Sequence, residues 1–300
     1  MTGQVGAAIA VVGLRKSYGS TEAVRGISFE VAEGEVFALL GPNGAGKTTT
    51  VEILEGYRRR DAGTVSVLGM DPARGGARLR ERIGIVLQEC GIEELLTVEE
   101  VLGRQAGYYP RPRPIGEVID LVGLRDKTGS RVRALSGGQR RRLDLALALV
   151  GNPDLIFLDE PTTGFDPAAR RNAWDLVKQL GGLGKTVFLT THYMDEAQFL
   201  ADRVAVIAGG QLVAEGPPGS IGGRDTGAAL IRFALPEGVA VSSLPLPARP
   251  DGEYALVESQ EVTRCLHLLT GWALDRGIEL RGLTVTRRSL EDVYLEMVDR

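Results

Sequence analysis

One glycine-rich stretch has residue types and a spacing that suit the binding of phosphate groups. Residues 41–49 read Gly-Pro-Asn-Gly-Ala-Gly-Lys-Thr-Thr, which fits a glycine, four free positions and then Gly-Lys-Ser/Thr. Glycine allows the backbone to approach an anion closely, because it has no Cβ that would clash. We expect Lys47 to contact β- and γ-phosphates and the Thr48 hydroxyl to bind Mg²⁺. The predicted nucleotide-phosphate site is formed by Gly41, Asn43, Gly44, Ala45, Gly46, Lys47, Thr48 and Thr49.

The elements on either side of this phosphate loop (residues 41–49) support that interpretation. Residues 35–40 form an apolar run that is short enough for a buried strand, and residues 47–55 have the apolar spacing of a helix. A strand, a glycine loop and a helix together aim backbone N–H groups and a helix N-terminus at phosphates. A glycine-rich surface turn is the simpler alternative, but it would not require this order of elements.

Polar side chains stand at the ends of three further predicted strands. Gln88, the pair Asp159 and Glu160, and His192 each end an apolar run of strand length. Because open α/β sheets bind ligands at the carboxyl ends of their strands, we expect these side chains near the phosphate loop. Asp159 could hold Mg²⁺ through water, Glu160 could polarise a hydrolytic water and His192 could donate to a γ-phosphate. Solvated or structural strand ends remain the alternative for each of them.

A second pair of glycines precedes another predicted helix. Residues 135–139 read Leu-Ser-Gly-Gly-Gln, and the residues after them have helical spacing. Ser136 and Gln139 stand three positions apart, which predicts a capping box. Gly137 and Gly138 then lie at a helix N-terminus, which attracts anions. One nucleotide does not need two such sites, so two chains could each lend one to the other's nucleotide.

Tyr18 lies in a predicted turn between two strands that precede the phosphate loop. An aromatic ring in this position could stack on an adenine base. Spacing alone favours a packing role instead, since loop tyrosines more often pack than bind.

Changes in composition and period divide the chain into parts. Residues 90–150 predict a helical insertion in an α/β domain, with a capping box at Thr97 and Glu100. Glycines and prolines at 216–219 form a strong breaker, and there we place the boundary between two domains. The predicted domains are a nucleotide-binding domain at 1–218 and an accessory domain at 219–300.

The accessory domain is predicted to be a small α+β unit. Cys265 and His267 lie in its helix, and we expect both to pack in the core. No catalytic constellation is visible in this region. The predicted elements are strands at 229–235, 253–258 and 278–285, a helix at 261–275 and a short helix from Ser289.

Composition limits the possible classes of function. Of 300 residues, 43% are hydrophobic and 25% charged, which is ordinary for a soluble globular chain. The net charge of −4 argues against a dedicated nucleic-acid-binding protein. Cys90 and Cys265 have no metal-ligand spacing and favour a reducing compartment. We expect no signal peptide and no membrane-spanning segment, so any membrane role must come through a partner.

Taken together, the motifs resemble the nucleotide-binding subunit of an ATP-binding-cassette (ABC) transporter over about residues 9–217, because they occur in that family's order. Residues 41–49 resemble Walker A, 135–139 the LSGGQ signature and 155–159 Walker B. The single residues that match family motifs are Tyr18 (adenine-stacking A-loop), Gln88 (Q-loop), Glu160 (catalytic glutamate), Asp166 (D-loop) and His192 (switch histidine).

The resemblance also reaches the subtype, with one departure. Residues 289–295, Ser-Leu-Glu-Asp-Val-Tyr-Leu, are similar to the C-terminal motif of drug-export ATPases of the daunorubicin-resistance type. The D-loop has Phe165 where the family usually has leucine. This aromatic could alter how two subunits abut, but it removes no catalytic group, so we expect activity to survive.

The resemblance implies a P-loop NTPase fold of ABC type and a homodimer whose two copies sandwich two ATP molecules. It implies that the signature residues 136–139 of one chain contact the γ-phosphate bound by the other chain. The implied metal is Mg²⁺, with Thr48, Gln88 and Asp159 as its ligands.

The implied partner is a separate multi-span permease at the cytoplasmic face of the membrane. The implied activity is ATP hydrolysis that drives export of a drug, antibiotic or other small amphipathic compound, without nucleic acid. Two alternatives stay open. One is a non-transport ABC ATPase that acts on ribosomes or nucleic acid, and the other is a regulatory module in which ATP acts as a switch.

Overall fold

The computed structural model describes residues 6–86, 91–221, 229–235 and 238–287. Gln88, Cys90 and residues 289–295 lie outside these ranges, and the predictions made for them stay predictions. The chain divides into two compact units, Met1–Pro218 and Gly219–Arg300. Each unit has its own hydrophobic core and is described separately.

A six-stranded sheet forms the centre of the first unit. Its strands are β3 (Val36–Leu40), β5 (Ile83–Val86), β6 (Leu155–Asp159), β7 (Thr186–Thr191), β8 (Arg203–Ala208) and β9 (Gln211–Gly216). The strand order is β5-β6-β7-β3-β8-β9, and only β9 runs antiparallel to its neighbour. Every residue of β3 and β7 is buried, as expected for parallel strands that are covered on both faces.

The order of these strands brings the predicted site residues to one edge. β3 leads into the phosphate loop, and β7 lies between β3 and β6. Asp159 at the end of β6 is in register with Thr190 of β7. Glu160 and His192, which come directly after these two strands, are therefore held next to each other by the sheet.

A three-stranded antiparallel sheet of order β2-β1-β4 completes the strands of the first unit. Phe29 on β2 stacks on Phe37 and Phe188 with ring centroids 5.5 and 6.0 Å apart, which joins the two sheets through the core. Tyr18 is the last residue of β1 and pairs with Thr21, so its predicted place within the turn is wrong by one position. The strands are β1 (Ala7–Tyr18), β2 (Thr21–Ala32) and β4 (Ala62–Val67).

Seven α-helices lie within the described part of the first unit. They are α1 (Lys47–Leu54), α2 (Pro72–Arg80), α3 (Val98–Ala106), α4 (Ile115–Leu121), α5 (Gly137–Leu149), α6 (Pro167–Gly182) and α7 (Met194–Leu200). Three of them, α3 to α5, fall within the predicted helical insertion. Thr97 and Glu100 form the predicted capping box at α3, because each side chain accepts from the other residue's backbone N–H.

The second unit is a four-stranded antiparallel sheet with one helix. Its elements are β10 (Ala229–Ala234), β11 (Arg249–Asp251), β12 (Tyr254–Ser259), α8 (Val262–Asp275) and β13 (Thr284–Arg287), with strand order β11-β12-β10-β13. The predicted strand at 278–285 is wrong in its first six residues, since pairing begins only at Thr284. Cys265 is buried as predicted, whereas His267 is exposed on the outer face of α8, so its predicted core position is wrong.

Within the described ranges, no helix is long and apolar enough to cross a membrane.

Candidate nucleotide site

The phosphate loop runs from the end of β3 to the start of α1. Gly44 and Gly46 have φ angles of 80° and 106°, in the left-handed region that favours glycine. A Cβ at Gly41 would lie 2.3 Å from the Ile207 carbonyl oxygen, and one at Gly46 would lie 2.5 Å from that of Ala23. Close packing against two neighbouring segments therefore requires glycine at both ends of the loop.

A cavity of about 380 Å³ opens at this loop. Its lining combines backbone and hydroxyl donors from the loop with two carboxylates from the end of β6 and the residue after it. Gly41 and Ala45 are buried and are not among the lining residues. The cavity is lined by Ala23, Asn43, Gly44, Gly46, Lys47, Thr48, Thr49, Asp159 and Glu160.

Lys47 carries the central positive charge of the cavity. Only 4% of its surface is exposed. Its Nζ donates to the carbonyl oxygens of Gly41 and Pro42 at 2.8 and 3.1 Å and lies 3.2 Å from Glu160 Oε1. The ammonium group is thus held in the loop by backbone acceptors and a carboxylate, in a position to meet a phosphate.

Thr190 on β7 holds the carboxylate of Asp159 and the backbone of Glu160 at the end of β6. Its hydroxyl donates to Asp159 Oδ1 at 2.5 Å and accepts from the backbone N–H of Glu160 at 3.1 Å. Glu160 has a φ of 46°, in the left-handed region that is strained for a residue with a side chain. Strain of about 1–3 kcal/mol persists only where surrounding contacts enforce it, and such residues cluster at active sites.

His192 stands beside Glu160, as the shared strand edge predicted. Its Nδ1 lies 3.3 Å from Glu160 Oε2, and its ring packs on Tyr193 with centroids 4.0 Å apart. Glu160 therefore lies between an ammonium group and an imidazole. This arrangement places a potential base next to two groups that can bind phosphate oxygens.

Asp159 and Glu160 have pKa values that are shifted in opposite directions. Burial raises the pKa of Asp159, and the hydrogen bond from Thr190 offsets part of that rise. Burial acts on Glu160 in the same direction, but Lys47 and His192 outweigh it and leave the pKa of Glu160 below its usual value. Glu160 is therefore ionised at neutral pH and able to accept a proton.

Oxygen donors at the cavity fit a magnesium ion. Thr48 is exposed at the first turn of α1, and both Thr48 and Asp159 line the cavity. Mg²⁺ prefers oxygen ligands and is usually bound through one or two carboxylates, water and the phosphates of a substrate. Gln88, the third predicted ligand, lies outside the described residues.

The Ser-Gly-Gly-Gln segment (residues 136–139) forms a separate feature. Ser136 and Gln139 make the predicted capping box at α5, with Ser136 Oγ accepting from the N–H of Gln139 and Gln139 Oε1 accepting from that of Ser136. Ser136, Gly137 and Gly138 are exposed. The segment borders a different cavity, of about 300 Å³, and contributes no lining residue to the one at the phosphate loop. A single chain therefore does not bring its two predicted anion sites into one cavity.

Two further predicted residues lie outside the phosphate-loop cavity. Tyr18 is 40% exposed, and its ring is flanked by Lys16 Nζ at 5.6 Å and Arg58 Cζ at 5.1 Å from the centroid. Asp166 precedes α6, where its Oδ1 accepts from the N–H of Ala169 at 2.9 Å. The neighbouring Phe165 lines the same cavity as the Ser-Gly-Gly-Gln segment.

The sequence interpretation missed several buried polar residues around the site, among them Thr190 and Glu196. Thr190 is fully buried, and so is Glu196 on α7. The pair of threonines that ends the apolar run of β7 was a usable signal, because a hydroxyl inside a buried strand needs a hydrogen-bond partner. Glu196 had no comparable signal, since an acidic residue in the first turn of a helix is ordinary.

Comparisons with known proteins identify relatives over almost the whole chain. A family profile described as "ABC transporter" matches residues 24–163, and one described as "ABC transporter domain-containing protein-like, C-terminal domain" matches residues 229–289. The daunorubicin resistance ATP-binding protein DrrA3 of Streptomyces coeruleorubidus is 39% identical, over 97% of this chain and 95% of the relative. The Nod factor export ATP-binding protein I of Paraburkholderia xenovorans is 38% identical, over 98% of each.

Solved structures show the same fold. CbiO1 of Clostridium perfringens, described as part of the ABC transporter complex cbiONQ, has a TM-score of 0.66 and 28% identity, over 71% of this chain and 90% of that one. The ATP-binding cassette MJ0796, solved as a dimer bound to ADP and Pi, has a TM-score of 0.61 and 25% identity, over 70% of this chain and 98% of that one.

Proposed function

The chain belongs to the ATP-binding subunits of ABC transporters, and from this premise we propose how its residues hydrolyse ATP and what it helps to transport. It is an ATPase whose conversion of ATP and water to ADP and phosphate is coupled to transport. Subunits of this family work with a membrane permease, and the MJ0796 cassette forms a dimer. The roles of individual residues, the cargo and the assembly of this chain are the proposal.

One observation carries the catalytic assignment, namely the contact of Glu160 with both Lys47 and His192 at the edge of the phosphate loop. Glu160 is the general base that takes a proton from the attacking water, which its lowered pKa permits at neutral pH. Lys47 and the backbone N–H groups of the loop neutralise charge on the β- and γ-phosphates. His192 donates to the γ-phosphate and stabilises the charge that develops in the transition state.

Thr48 and Asp159 would hold the magnesium ion, since both supply oxygen donors to the lining of the cavity. When bound, the ion would neutralise negative charge on the phosphates. Thr190 keeps the Asp159 carboxylate in place through its short hydrogen bond. Tyr18 stacks on the adenine ring, which its position at the exposed end of β1 allows.

The Ser-Gly-Gly-Gln segment acts on a nucleotide bound by a second copy of the chain. Its exposure and its separation from the phosphate-loop cavity support this role. Residues 136–139 approach the γ-phosphate from across the dimer interface, and Asp166 lies at the same interface. Both sites of a homodimer are then identical and complete.

The cargo is a drug, an antibiotic or another small amphipathic compound, which a separate permease exports. This proposal is supported by relatives whose names describe daunorubicin resistance and Nod factor export. The chain then lies at the cytoplasmic face of the membrane and is held there by the permease. The alternative of an ATPase that acts on ribosomes or nucleic acid has no support among these relatives.

Glu160→Gln tests the catalytic assignment. We expect hydrolysis to fall by about 100-fold or more, since the amide cannot accept the proton, while ATP binding and dimerisation persist. Hydrolysis by purified protein and dimerisation by size-exclusion chromatography with ATP provide the two measurements. Glu117→Gln, an exposed glutamate on α4, is the matched control and should hydrolyse ATP as wild type does. Wild-type turnover in Glu160→Gln would refute the assignment.

A pull-down tests the transport role. Tagged Glu160→Gln protein is recovered with ATP from detergent-solubilised membranes, and its partners are identified by mass spectrometry. A multi-span membrane protein in stoichiometric amount is the expected result, and it names the permease whose cargo is then assayed. Recovery of ribosomes or nucleic acid without a membrane protein would overturn the transport proposal and leave the ATPase.

A further inference from the structure

Glu196 on α7 is a fully buried carboxyl group that the proposed mechanism does not use. Its Oε1 accepts hydrogen bonds from the Thr162 hydroxyl at 2.7 Å and from Trp174 Nε1 at 2.9 Å. Two donors from different segments thus meet at one oxygen atom inside the protein. Acidic residues are almost never fully buried without such partners.

The segments joined at Glu196 are those that carry the catalytic groups. Thr162 lies between Glu160 and Asp166, in the loop that leaves β6. Trp174 lies on α6, the helix that comes after Asp166. Glu196 itself lies four residues after His192, on the helix that comes after the histidine.

Further contacts join the same segments. Arg170 on α6 places its guanidinium 4.3 Å from the ring centroid of Tyr193 and 3.6 Å from Asp195 Oδ2. The charge of Arg170 and the hydroxyl of Thr191 also act on the Glu196 carboxyl and oppose the rise in its pKa that burial causes. The residues immediately before and after His192 are therefore tied to the same cluster.

Stability alone does not account for a group of this kind. A buried carboxyl pays a large desolvation cost, and apolar side chains of similar volume often serve stability as well or better. The hydrogen bonds of the cluster fix the direction and distance between segments, which an apolar core does not do. A group that joins the loop after Glu160 to the helix after His192 fixes the relative position of the two.

We propose that Glu196 is a positioning residue for hydrolysis, which holds the loop between Glu160 and Asp166 against the segment that presents His192. The inference rests on the roles proposed above for Glu160 and His192. Because Asp166 belongs to the same loop, Glu196 also connects the dimer interface of the proposed function to the switch histidine. Loss of the connection changes the rate of the chemical step and leaves ATP binding at the phosphate loop intact.

Glu196→Leu, which removes both hydrogen bonds at similar volume, is the first variant. We expect kcat to fall by about 10-fold to 100-fold while the KM for ATP changes by less than about threefold, because small displacements of catalytic groups have effects of that size. Glu196→Gln keeps an acceptor oxygen for Thr162 and Trp174 and should restore kcat to within about threefold of wild type. Thr162→Val removes one donor, and its kcat should lie between those of Glu196→Leu and Glu196→Gln.

A triple variant separates positioning from stability. Glu196→Leu leaves two buried donors unpaired, which costs stability, and adding Thr162→Val and Trp174→Phe removes those donors. We expect the triple variant to regain the thermal midpoint that Glu196→Leu loses and to keep the low kcat. Recovery of both together would show that Glu196 serves packing alone.

Other outcomes also decide the proposal. A Glu196→Leu protein with wild-type kcat would overturn it, as would equal losses in Glu196→Leu and Glu196→Gln. If Glu196→Leu does not fold, Thr162→Val and Glu196→Gln still provide the kcat comparison. Glu160→Gln with wild-type turnover would refute the proposed function itself, so the two failures are distinguishable.

Discussion

Glycines lie at the N-termini of both α1 and α5, yet the two termini are built in different ways. Among the described residues, no side chain caps α1, which begins at the buried Lys47 after Gly46. The start of α5 is capped twice, because the side chains of Ser136 and Gln139 each accept from the other residue's backbone N–H. One terminus faces a cavity with two carboxylates, and the other lies exposed on the surface.

This difference distinguishes a helix N-terminus that binds a ligand in its own chain from one that is exposed for contact with another chain. The start of α1 leaves its N–H groups to a ligand, and the charge of Lys47 is balanced by Glu160 until phosphate arrives. The start of α5 is stable by itself, because its own side chains satisfy two of its N–H groups. The capped start of α5 therefore suits contact with a nucleotide that is already bound to another chain.

Lys47→Ala should have the largest effect on turnover. The substitution removes the positive charge that faces the β- and γ-phosphates, so we expect ATP hydrolysis to fall by about 1,000-fold and ATP binding to weaken. Hydrolysis and binding of a fluorescent ATP analogue are measured on the same preparation. Lys185→Ala, a lysine at the opposite end of the sheet whose Nζ donates to the Pro153 carbonyl oxygen, is the control for losing a partly buried lysine. Equal loss of turnover in both variants would contradict a special role for Lys47.

Ser136→Ala should have the next largest effect. It removes one cap of α5, at a cost of about 1 kcal/mol in the free energy of unfolding, and we expect turnover to fall by about 10-fold or more. Thr97→Ala removes the matching capping box at α3 and is the control. The two variants should lose similar stability in urea unfolding, and only Ser136→Ala should lose turnover. If Ser136→Ala and Thr97→Ala have equal turnover, Ser136 only caps α5 and has no role in hydrolysis.

Mixing the two defective proteins should restore part of the activity. In a dimer of one Lys47→Ala chain and one Ser136→Ala chain, one site carries both defects and the other carries none. Random assembly of equal amounts gives about a quarter of the wild-type sites. Hydrolysis by the mixture is compared with the mean of the separate proteins. A mixture no more active than that mean would refute the composite site.

Thr190→Val tests whether the Asp159 carboxylate and the Glu160 backbone need the support of the Thr190 hydroxyl. Valine keeps the shape and removes the hydrogen bonds to Asp159 and Glu160. We expect kcat to fall by about 10-fold, with a smaller change in the KM for ATP. Thr186→Val, at the other end of β7, removes a buried hydroxyl that accepts from the N–H of Gly34 and serves as the control. A similar loss of kcat in Thr186→Val would assign the effect to the strand instead.

The family and the fold class were predictable from the sequence, and both predictions are confirmed. Motifs in a fixed order identify the fold because each one performs a local task. The capping boxes at Thr97 and Ser136 were predictable for the same reason, since a cap depends only on residues three positions apart. The location of Glu160 and His192 at one edge of the sheet was predictable, because the carboxyl ends of parallel strands meet at one edge.

The missed features depend on packing between distant segments. Thr190, Thr162 and Glu196 gain their roles from partners on other elements, and no local spacing encodes these pairs. In the second unit, β11 has three residues, too few to show a period. His267 was misplaced because the apolar residues of α8 leave its buried face ambiguous. The roles of single site residues, including Tyr18 and Gln88, stay predictions.

The far ends of α1 and α5 differ as well, and that difference gives the prediction with the smallest effect on turnover. The residue after α5 is the buried Val150, whereas the residue after α1 is Glu55, which is 6% exposed. Glu55 Oε1 is buried without a hydrogen-bond partner among the described residues. Burial, and then the charges of Asp159 and Glu52, raise the pKa of Glu55 to about 8.

The pKa of Glu55 is near 4.5 in the unfolded chain and about 8 in the folded protein. The contribution of Glu55 to stability is therefore fully present below pH 4.5 and is lost as the pH rises through about 8. The resulting decrease in the free energy of unfolding at pH 8 is on the order of 4 kcal/mol, because one pKa unit corresponds to about 1.4 kcal/mol. Glu55→Gln cannot ionise, so its free energy of unfolding should fall less between pH 6 and pH 8 than that of the wild type.

Urea unfolding at pH 6, 7 and 8 measures this difference, with Glu117→Gln as the control for an exposed glutamate. Turnover of Glu55→Gln at pH 7 should stay within about twofold of wild type, since Glu55 does not line the phosphate-loop cavity. Parallel pH profiles for Glu55→Gln and wild type would show that Glu55 is already ionised in the folded protein. If Glu55→Gln instead loses turnover and also has an altered pH profile of stability, Glu55 at the end of α1 would influence Asp159 at the catalytic site, and the two ends of α1 would then contribute to one site.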